Sequence, residues 1–191
     1  MIVTLDIETY SVNGVPPWKQ LERGYLHDPI VSVSFVIAED QNLKVLTIIK
    51  DIKDERVLLQ EVIKTLEEIG GGILLTYNGK RFDIPALIMR SKFYGIKDRL
   101  EDALKRYEHR DVWELAKEKQ KKGSLAAGSL SLKNVANMLN INNDIKGNIE
   151  GKDYFKYYER WRSEGDHTAI LYNQNDVLLT LNVYRGLHQL P

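Results

Sequence analysis

The first ten residues, MIVTLDIETY, combine a short apolar run with two acids. The apolar residues are mostly β-branched, a composition typical of a buried central strand. Asp6 and Glu8 stand two residues apart in this run, and side chains at i and i+2 of a strand share one face, about 7 Å apart. Two carboxylates on a buried face need a cation or hydrogen-bond donors, so the pattern indicates a metal site. The alternative is that the strand ends at Leu5 and both acids are solvated.

Three further strands follow from the apolar pattern, and a fourth is predicted at the edge of the sheet. Residues 30–38 and 43–49 are joined by a polar turn, which predicts an antiparallel hairpin that extends the first strand into a meander. Residues 51–69 form an amphipathic helix that ends at three glycines. This helical crossover makes the strand at 73–77 parallel to its neighbour, and 107–110 is an edge strand. The other predicted helices cover residues 84–94, 111–121, 131–139, 153–162 and 166–186.

Two segments are predicted as loops. Residues 11–28 are rich in glycine and proline. We expect Trp18 of this segment to pack over the core, although the segment also mixes aromatic and basic side chains that can stack bases and contact phosphates. The second loop, near residues 117–130, is basic and then rich in glycine and serine. We expect it to be flexible and solvated.

Two more acids are candidates for the same site, one at the start of a predicted helix and one inside the last helix. Asp83 follows the fourth strand and precedes a helix, so it is either a metal-site acid at the sheet edge or a plain N-cap. Tyr172 and Asp176 are four residues apart and share a face of the last helix. A tyrosine and a carboxylate at that spacing can hold a metal and a metal-bound water. The YxxxD pattern occurs three times, and only this copy lies wholly inside a long amphipathic helix.

Composition narrows the chemistry. The chain has 191 residues, which suits one domain covering 1–191. Basic and acidic residues number 27 each, so no global positive field indicates nucleic acid. There is no cysteine and the four histidines lack zinc-ligand spacing, so oxygen ligands and therefore magnesium or manganese are favoured. No apolar run has the length of a membrane span and no signal-peptide layout begins the chain, so we expect a cytoplasmic protein.

Three motifs, in chain order, resemble those of the DEDD 3′–5′ exonuclease superfamily, in its DEDDy branch with tyrosine in the third motif. They are LDIET, YNGKRFDIPAL and YNQNDVLLT. The likeness is greatest to the proofreading domain of family B DNA polymerases and to stand-alone YprB-like predicted exonucleases, which SLKNVANMLNI also resembles. It implies an α/β, ribonuclease H-like fold in which helices flank a mixed five-stranded sheet, an antiparallel meander plus parallel strands.

The resemblance also implies an activity. The expected protein is a metal-dependent 3′–5′ exonuclease that hydrolyses phosphodiester bonds at the 3′ end of single-stranded nucleic acid, with DNA favoured. It would use two Mg²⁺ or Mn²⁺ ions, because two ions can activate the water and stabilise the leaving oxygen. The implied catalytic residues are Asp6, Glu8, Asp83, Tyr172 and Asp176.

Each of these residues has an implied role. Asp6, Glu8 and Asp176 would hold the ion that activates the water. Asp6 would bridge to the second ion, which Asp83 assists. Tyr172 would orient the water, since an unperturbed phenol with a pKa near 10 is a poor base at neutral pH. The candidates for holding the terminal nucleotide are Thr9, Asn78 and Phe82.

Two other functions remain open. One is an RNA-directed or structure-directed nuclease of the same fold, for which the 2′-hydroxyl would decide the substrate. The other is a non-catalytic nucleic-acid-binding scaffold, against which the presence of all four acids and the tyrosine argues. The expected partner is a single-stranded 3′ end of DNA or RNA, and a replication or repair protein is a further candidate.

Overall fold

The computed structural model describes residues 1–12, 14–142 and 151–190. Within them, five strands form one sheet: β1 Ile2–Thr9, β2 Ile30–Glu39, β3 Asn42–Ile49, β4 Gly72–Thr76 and β5 Tyr107–Asp111. The helices are α1 Pro17–Glu22, α2 Glu55–Ile69, α3 Asp83–Phe93, α4 Lys97–Leu104, α5 Val112–Lys121, α6 Leu132–Met138, α7 Tyr154–Glu164 and α8 Thr168–Gln189.

The sheet order is β3-β2-β1-β4-β5, with β1 in the centre. β1 pairs antiparallel with β2, and β2 pairs antiparallel with β3, so the expected meander is confirmed. β4 pairs parallel with β1 and with β5, as the helical crossover predicts. The carboxyl ends of β1, β4 and β5 therefore meet at one edge of the sheet.

Helices cover both faces of the sheet. On one face, the apolar side chains of β1 pack with α2, α3 and α4, through residues such as Leu58, Leu87 and Leu100. On the other face, α5, α6 and α8 form the second core, with Val112, Val135 and Val177. None of the described helices is both long enough and apolar enough to cross a bilayer.

The segment predicted as the first loop contains a helix, α1, which the glycine and proline content concealed. Its first residue is Pro17, whose fixed φ favours the start of a helix. The expectation that Trp18 packs over the core is wrong, because 49% of its surface is exposed. Phe93, at the end of α3, is likewise 72% exposed.

The second predicted loop begins as helix, since residues 117–121 belong to α5. Beyond them, Gln120 Nε2 donates to the carbonyl oxygens of Ala126 and Gly128, each at 3.1 Å. Leu125 is buried in the second core. These contacts attach the turn to the end of α5.

Candidate metal centre

The alternation of β1 sets two carboxylates on one face. Val3, Leu5 and Ile7 point into the core with α2 and α3, so Asp6 and Glu8 point towards the opposite face, on which α8 packs. α8 brings Asp176 to the same place. One carboxylate oxygen from each of Asp6, Glu8 and Asp176 lies within 4.8 Å of the other two.

The end of β1 is locally distorted beside these acids. Glu8 is opposite Ser32, whereas Thr9 is opposite Ile30, so Val31 is an extra residue in β2. A bulge of this kind bends the strand and redirects its side chains, and bulges are frequent next to functional sites. The shift ends regular pairing at the point where the acids face α8.

Asp83 joins the site from α3. Its side chain is buried, and Oδ1 accepts a hydrogen bond of 3.1 Å from the backbone N–H of Ile7. The pairing of β1 with β4 ends at Thr4 and Leu75. Beyond that point, the Asp83 carboxylate accepts the hydrogen bond from Ile7 of β1. The plain N-cap interpretation is therefore wrong, because Phe82 is the N-cap residue of α3 and the Asp83 carboxylate bonds to β1.

A cavity of about 290 Å³ opens over the acids, and we call it the acid cavity. It collects carboxylates, loop residues and two side chains of the α1 segment. Its lining consists of Asp6, Ile7, Glu8, Pro17, Trp18, Tyr77, Asn78, Phe82 and Asp83. The predicted nucleotide-binding residues Asn78 and Phe82 thus lie beside three of the predicted metal ligands.

Tyr172 lies one helical turn before Asp176 and forms a hydrogen bond with its carboxylate. The ring is buried and packs against Tyr154 of α7, with ring centroids 5.8 Å apart. Burial, with the charges of Glu8, Asp176 and Asp6, raises the pKa of the phenol. Tyr172 therefore stays protonated at neutral pH and acts as a hydrogen-bond donor to Asp176.

The pKa values of the four acids are all raised, with burial as the largest cause. Burial and then the neighbouring carboxylates raise the pKa of Asp6 and of Glu8. Burial raises the pKa of Asp83 to about 7 and that of Asp176 to about 6. Clustered carboxylates raise one another's pKa because each disfavours a second negative charge nearby, and a bound cation removes that cost.

The donor set matches a hard divalent cation. The cluster offers carboxylate oxygens and no nitrogen or sulfur ligand, and such sites suit Mg²⁺ or Mn²⁺. Asp6, Glu8 and Asp176 are close enough to share one ion, while Asp83 contributes from the adjoining wall of the cavity.

Asn173 is a site residue that the sequence motifs did not single out. Its side chain is 0% exposed, and Nδ2 donates to Asp6 Oδ2 at 2.6 Å. Its Oδ1 accepts from the hydroxyl of Ser32 at 2.9 Å. Its sequence signal was its place beside Tyr172 within the segment YNQNDVLLT. Asn173 fixes one oxygen of Asp6 and leaves the other free.

Asp111 organises the loop that carries Asn78. Its carboxylate accepts from the backbone N–H groups of Asn78 at 2.8 Å, Lys80 at 3.0 Å and Trp113 at 3.0 Å. Asn78 has a positive φ of 63°, a conformation in which asparagine is enriched among non-glycine residues. The end of β5 thereby holds the loop after β4 against the acid cavity.

A second depression adjoins the acid cavity, and we call it the apolar groove. It has a volume of about 600 Å³ and is lined by Glu8, Thr9, Ser11, Val12, Gly14, Val15, Pro16, Pro17, Trp18, Phe82, Gly151 and Phe155. Glu8, Trp18 and Phe82 line both spaces. Thr9, predicted to contact the terminal nucleotide, is buried in the wall of this groove.

Residues 3–188 match the model of a family described as the RNase_H superfamily. The chain belongs to the RNase_H superfamily. Membership of this superfamily indicates a nuclease, in agreement with the acid cluster.

Relatives of this RNase_H superfamily chain are DNA polymerases. It is 36% identical over 101 residues to a DNA polymerase of Methanocaldococcus jannaschii, covering 49% of this chain and 6% of the polymerase. It is 28% identical over 103 residues to a DNA polymerase of Pyrococcus glycovorans, covering 50% of this chain and 12% of the polymerase. The chain thus spans only a small part of the length of these curated relatives.

A solved structure agrees in fold. The family B DNA polymerase from the hyperthermophilic archaeon Pyrobaculum calidifontis matches 98% of this chain and 24% of its own, with a TM-score of 0.71 and 19% sequence identity. The ribonuclease H-like fold with its mixed five-stranded sheet is confirmed, as is the likeness to family B DNA polymerases.

The structure brings the predicted site residues of this RNase_H superfamily chain together. Asp6, Glu8 and Asp176 form the acid cluster. Asn78, Phe82 and Asp83 line the cavity above it, Tyr172 bonds to Asp176, and Thr9 lies in the adjoining groove.

Proposed function

We propose that this protein is a metal-dependent 3′–5′ exonuclease that hydrolyses phosphodiester bonds at the 3′ end of single-stranded nucleic acid. The observation that carries the proposal is the meeting of three carboxylates within 4.8 Å, beside a buried tyrosine bonded to one of them. Carboxylates crowded in this way repel one another, so they favour a bound cation.

Asp6, Glu8 and Asp176 would hold the first of two divalent ions, Mg²⁺ or Mn²⁺. Asp6 would contribute to the second as well, with Asp83 beside it. When bound, such ions lower the pKa of a coordinated water and stabilise charge on the phosphate and leaving oxygens. Asn173 donates to Asp6 Oδ2 and so presents the opposite oxygen, Oδ1, to the cavity.

Tyr172 positions the attacking water rather than removing its proton. Its raised pKa keeps the hydroxyl protonated, and the hydroxyl donates to Asp176. The phenol oxygen then retains lone pairs that can accept a hydrogen bond from a water next to the acid cluster. A residue in this role lowers the barrier by fixing geometry.

The terminal nucleotide would occupy the acid cavity. Asn78 and Phe82 line that cavity with the acids, and Phe82 presents an aromatic ring on which a base can stack. Thr9 stands next to Glu8 in β1 and can contact the sugar. These three residues would place the last phosphodiester over the acid cluster.

DNA is the proposed substrate because the curated relatives are DNA polymerases. A replication or repair protein is accordingly the proposed partner class. Single strands are favoured because a terminal base must leave its stack to enter the acid cavity, at a cost of a few kcal/mol from a duplex.

The test uses 5′-labelled single-stranded DNA and RNA oligonucleotides with Mg²⁺, Mn²⁺ or EDTA. The wild-type protein should give a metal-dependent ladder that shortens from the 3′ end, and the faster substrate names the preferred sugar. Asp176→Ala should give no ladder while keeping a cooperative thermal transition. Asn182→Ala is the matched control, because Asn182 lies on the exposed face of the same helix.

Two results would overturn the proposal. One is a ladder of equal rate from Asp176→Ala, which would place the chemistry elsewhere. The other is retention of both strands under every metal while binding persists, which would favour the non-catalytic scaffold.

A further inference from the structure

We propose that the apolar groove is a stacking site for unpaired nucleobases, with Trp18 and Phe155 as its platforms. This inference rests on the proposed function and names how that site selects its substrate. The occupant is the stretch of single strand next to the bond being cut. Neither platform belongs to the three acidic motifs, since Trp18 lies in α1 and Phe155 in α7.

The groove is continuous with the site of cleavage. Glu8, Trp18 and Phe82 line both the apolar groove and the acid cavity. When the terminal phosphodiester of a nucleic-acid strand lies over the acids, the neighbouring nucleotide therefore lies beside Trp18. The groove volume of about 600 Å³ is within the roughly 300–1,000 Å³ typical of small-molecule pockets and is ample for a nucleoside.

Trp18 is exposed yet held in place. The opposite face of α1 carries Gln20, which is buried. Gln20 Nε2 donates to Val15 O at 3.0 Å and to Asp28 Oδ2 at 2.7 Å, and its Oε1 accepts from His27 N at 2.9 Å. These bonds fix α1, and an aromatic ring presented on a fixed element loses little entropy when a ligand stacks on it.

Phe155 is supported in the same manner. Its neighbours on α7, Tyr154 and Tyr158, are fully buried in a cluster that includes Tyr172. This packing fixes α7 against the sheet, while Phe155 is only partly buried and lines the groove. The helix that supports the candidate water-positioning tyrosine thus also carries the second platform.

Cationic groups accompany both platforms. Lys19 Nζ lies 5.2 Å from the ring centroid of Trp18, and Lys156 Nζ lies 5.8 Å from that of Phe155. Lys156 also pairs with Asp153 at 2.7 Å. Neither lysine lines the groove itself. Each therefore lies outside it, where it can contact the phosphate of a nucleotide whose base stacks inside. Aromatic faces with adjacent cations are the general pattern of single-strand binding grooves.

The chemistry of the lining favours bases over other occupants. Aromatic faces and the proline and valine side chains contact a planar ring without reading its hydrogen-bonding edge, so any base fits. A base held in a duplex is stacked on both sides and cannot present a free face to Trp18. The groove would therefore favour unpaired ends without preference for sequence.

The test measures binding of short labelled oligonucleotides by fluorescence anisotropy in the Asp176→Asn background with Mg²⁺. Two thymidine oligonucleotides are compared, one intact and one with abasic residues at its last positions. For the intact strand, Trp18→Ala and Phe155→Ala should each raise Kd roughly 5-fold to 100-fold, the range measured for losing one base–aromatic stack. For the abasic strand, both substitutions should change Kd by less than about 2-fold, because the stacking partner is already absent.

Phe93→Ala is the matched control, since Phe93 is an exposed aromatic residue outside the groove. It should bind both strands as the parent protein does. Kd unchanged by Trp18→Ala and Phe155→Ala, or raised equally for intact and abasic strands, would overturn the stacking site while leaving the exonuclease proposal intact. The parent Asp176→Asn protein distinguishes failure of the proposed function. Hydrolysis by this protein would contradict the proposed role of Asp176. The absence of any oligonucleotide binding would contradict both the proposed function and the stacking site.

Discussion

The buried side-chain amide of Asn173 links the acid site to a neighbouring strand. It joins Asp6 on β1 to Ser32 on β2 from its position on α8. Since Asp6 has the acids Glu8, Asp83 and Asp176 around it, a neutral donor is the partner that adds no further charge. The hydrogen bond fixes the carboxylate plane and so the direction of its free oxygen.

Asn173→Ala should weaken metal binding more than it weakens the fold. Loss of a residue that orients a metal ligand typically costs about 10-fold to 100-fold in metal affinity or activity. The measurement is the Mg²⁺ or Mn²⁺ concentration giving half of the maximal rise in Tm. Asn182→Ala, on the exposed side of α8, should titrate as wild type. Equal midpoints for the Asn173→Ala and wild-type proteins would refute the orienting role.

The carboxylates predict a pH dependence of stability. Asp83 and Asp176 have pKa values raised to about 7 and about 6 from an ordinary 3.8. Between the ordinary and raised values the folded state binds more protons than the unfolded state, so stability falls as pH rises through that window. In EDTA, Tm of Asp176→Asn minus Tm of wild type should therefore grow from about pH 4 to about pH 6 and level off above it. A difference that is constant with pH would contradict the raised pKa of Asp176.

The alternation of β1 was enough to predict that Asp6 and Glu8 share a face. The sequence did not distinguish Asn173, because its bonding partners are 167 and 141 residues away. Trp18 was misassigned for a related reason. Large aromatic residues are usually buried, and only the packing of Gln20 shows that the opposite face of α1 is the buried one.

At the scale of elements, the loop between β4 and α3 depends on β5. Asp111 ends β5, caps α5 through Trp113 N, and accepts from Asn78 N and Lys80 N. One carboxylate therefore joins a strand end, a helix start and the loop of the acid cavity. The position of Asn78 therefore depends on the Asp111 carboxylate as much as on β4, the strand that precedes it.

Asp111→Ala should destabilise the protein and impair substrate binding. Losing a cap and leaving partly buried N–H donors unpaired should cost about 2 kcal/mol. Since the loop carries Asn78 and Phe82, KM for an oligonucleotide should rise more than kcat falls. Thermal denaturation and steady-state kinetics check both effects. Asp102→Ala, which removes an exposed acid paired with Lys105, is the control, and identical behaviour of the two variants would contradict this role of Asp111.

Hydrophobic periodicity predicted β1 to β4 because each contains a compact apolar run, whereas β5 is mostly polar and was predicted only as an edge strand. It missed α1, whose start is marked by the prolines that also mark loops. It missed α4, where charged residues alternate with few apolar ones and only Leu100 and Ala103 are buried. Periodicity alone does not define the buried face of α8, because Asn173 and Thr180 are polar yet buried.

At the scale of the whole molecule, a buried ion pair joins elements of one helical layer to the sheet. Glu55 of α2 is 0% exposed. Its carboxylate accepts from Ile30 N at 2.7 Å, Arg90 Nε at 2.8 Å and the Tyr94 hydroxyl at 2.9 Å. Arg90 of α3 also donates to Leu26 O at 2.9 Å. β2, α2 and α3 are therefore tied at one point.

Arg90→Ala should destabilise the fold by about 3–5 kcal/mol, because it leaves the Glu55 charge buried without its partner. Arg99 offers a matched control. It forms the same two-point contact with Glu67, but that pair is exposed, so Arg99→Ala should leave stability near that of wild type. Chemical denaturation gives the free energy of unfolding of both variants. Comparable losses from the two substitutions would show that burial does not determine how much the Arg90–Glu55 pair stabilises the fold.

The order of the acids along the chain could be read from the sequence, but their meeting depended on the whole fold. Asp6 and Asp83 approach because β1 and β4 are adjacent and parallel. Asp176 arrives only because α8 packs across β1 and β2, with Val177 in the core of that face. Distances between elements remote in sequence are set by this packing, which periodicity does not encode.

The central claim is that the acid site removes nucleotides from a free 3′ end. The most direct measurement compares a linear 5′-labelled single strand with a covalently closed circle of the same sequence, both with Mg²⁺. The account predicts stepwise shortening of the linear strand with release of mononucleotides, an intact circle, and no reaction of either with Asp176→Ala. Cleavage of the circle by the wild-type protein, or first release of the 5′ label as a mononucleotide, would contradict it.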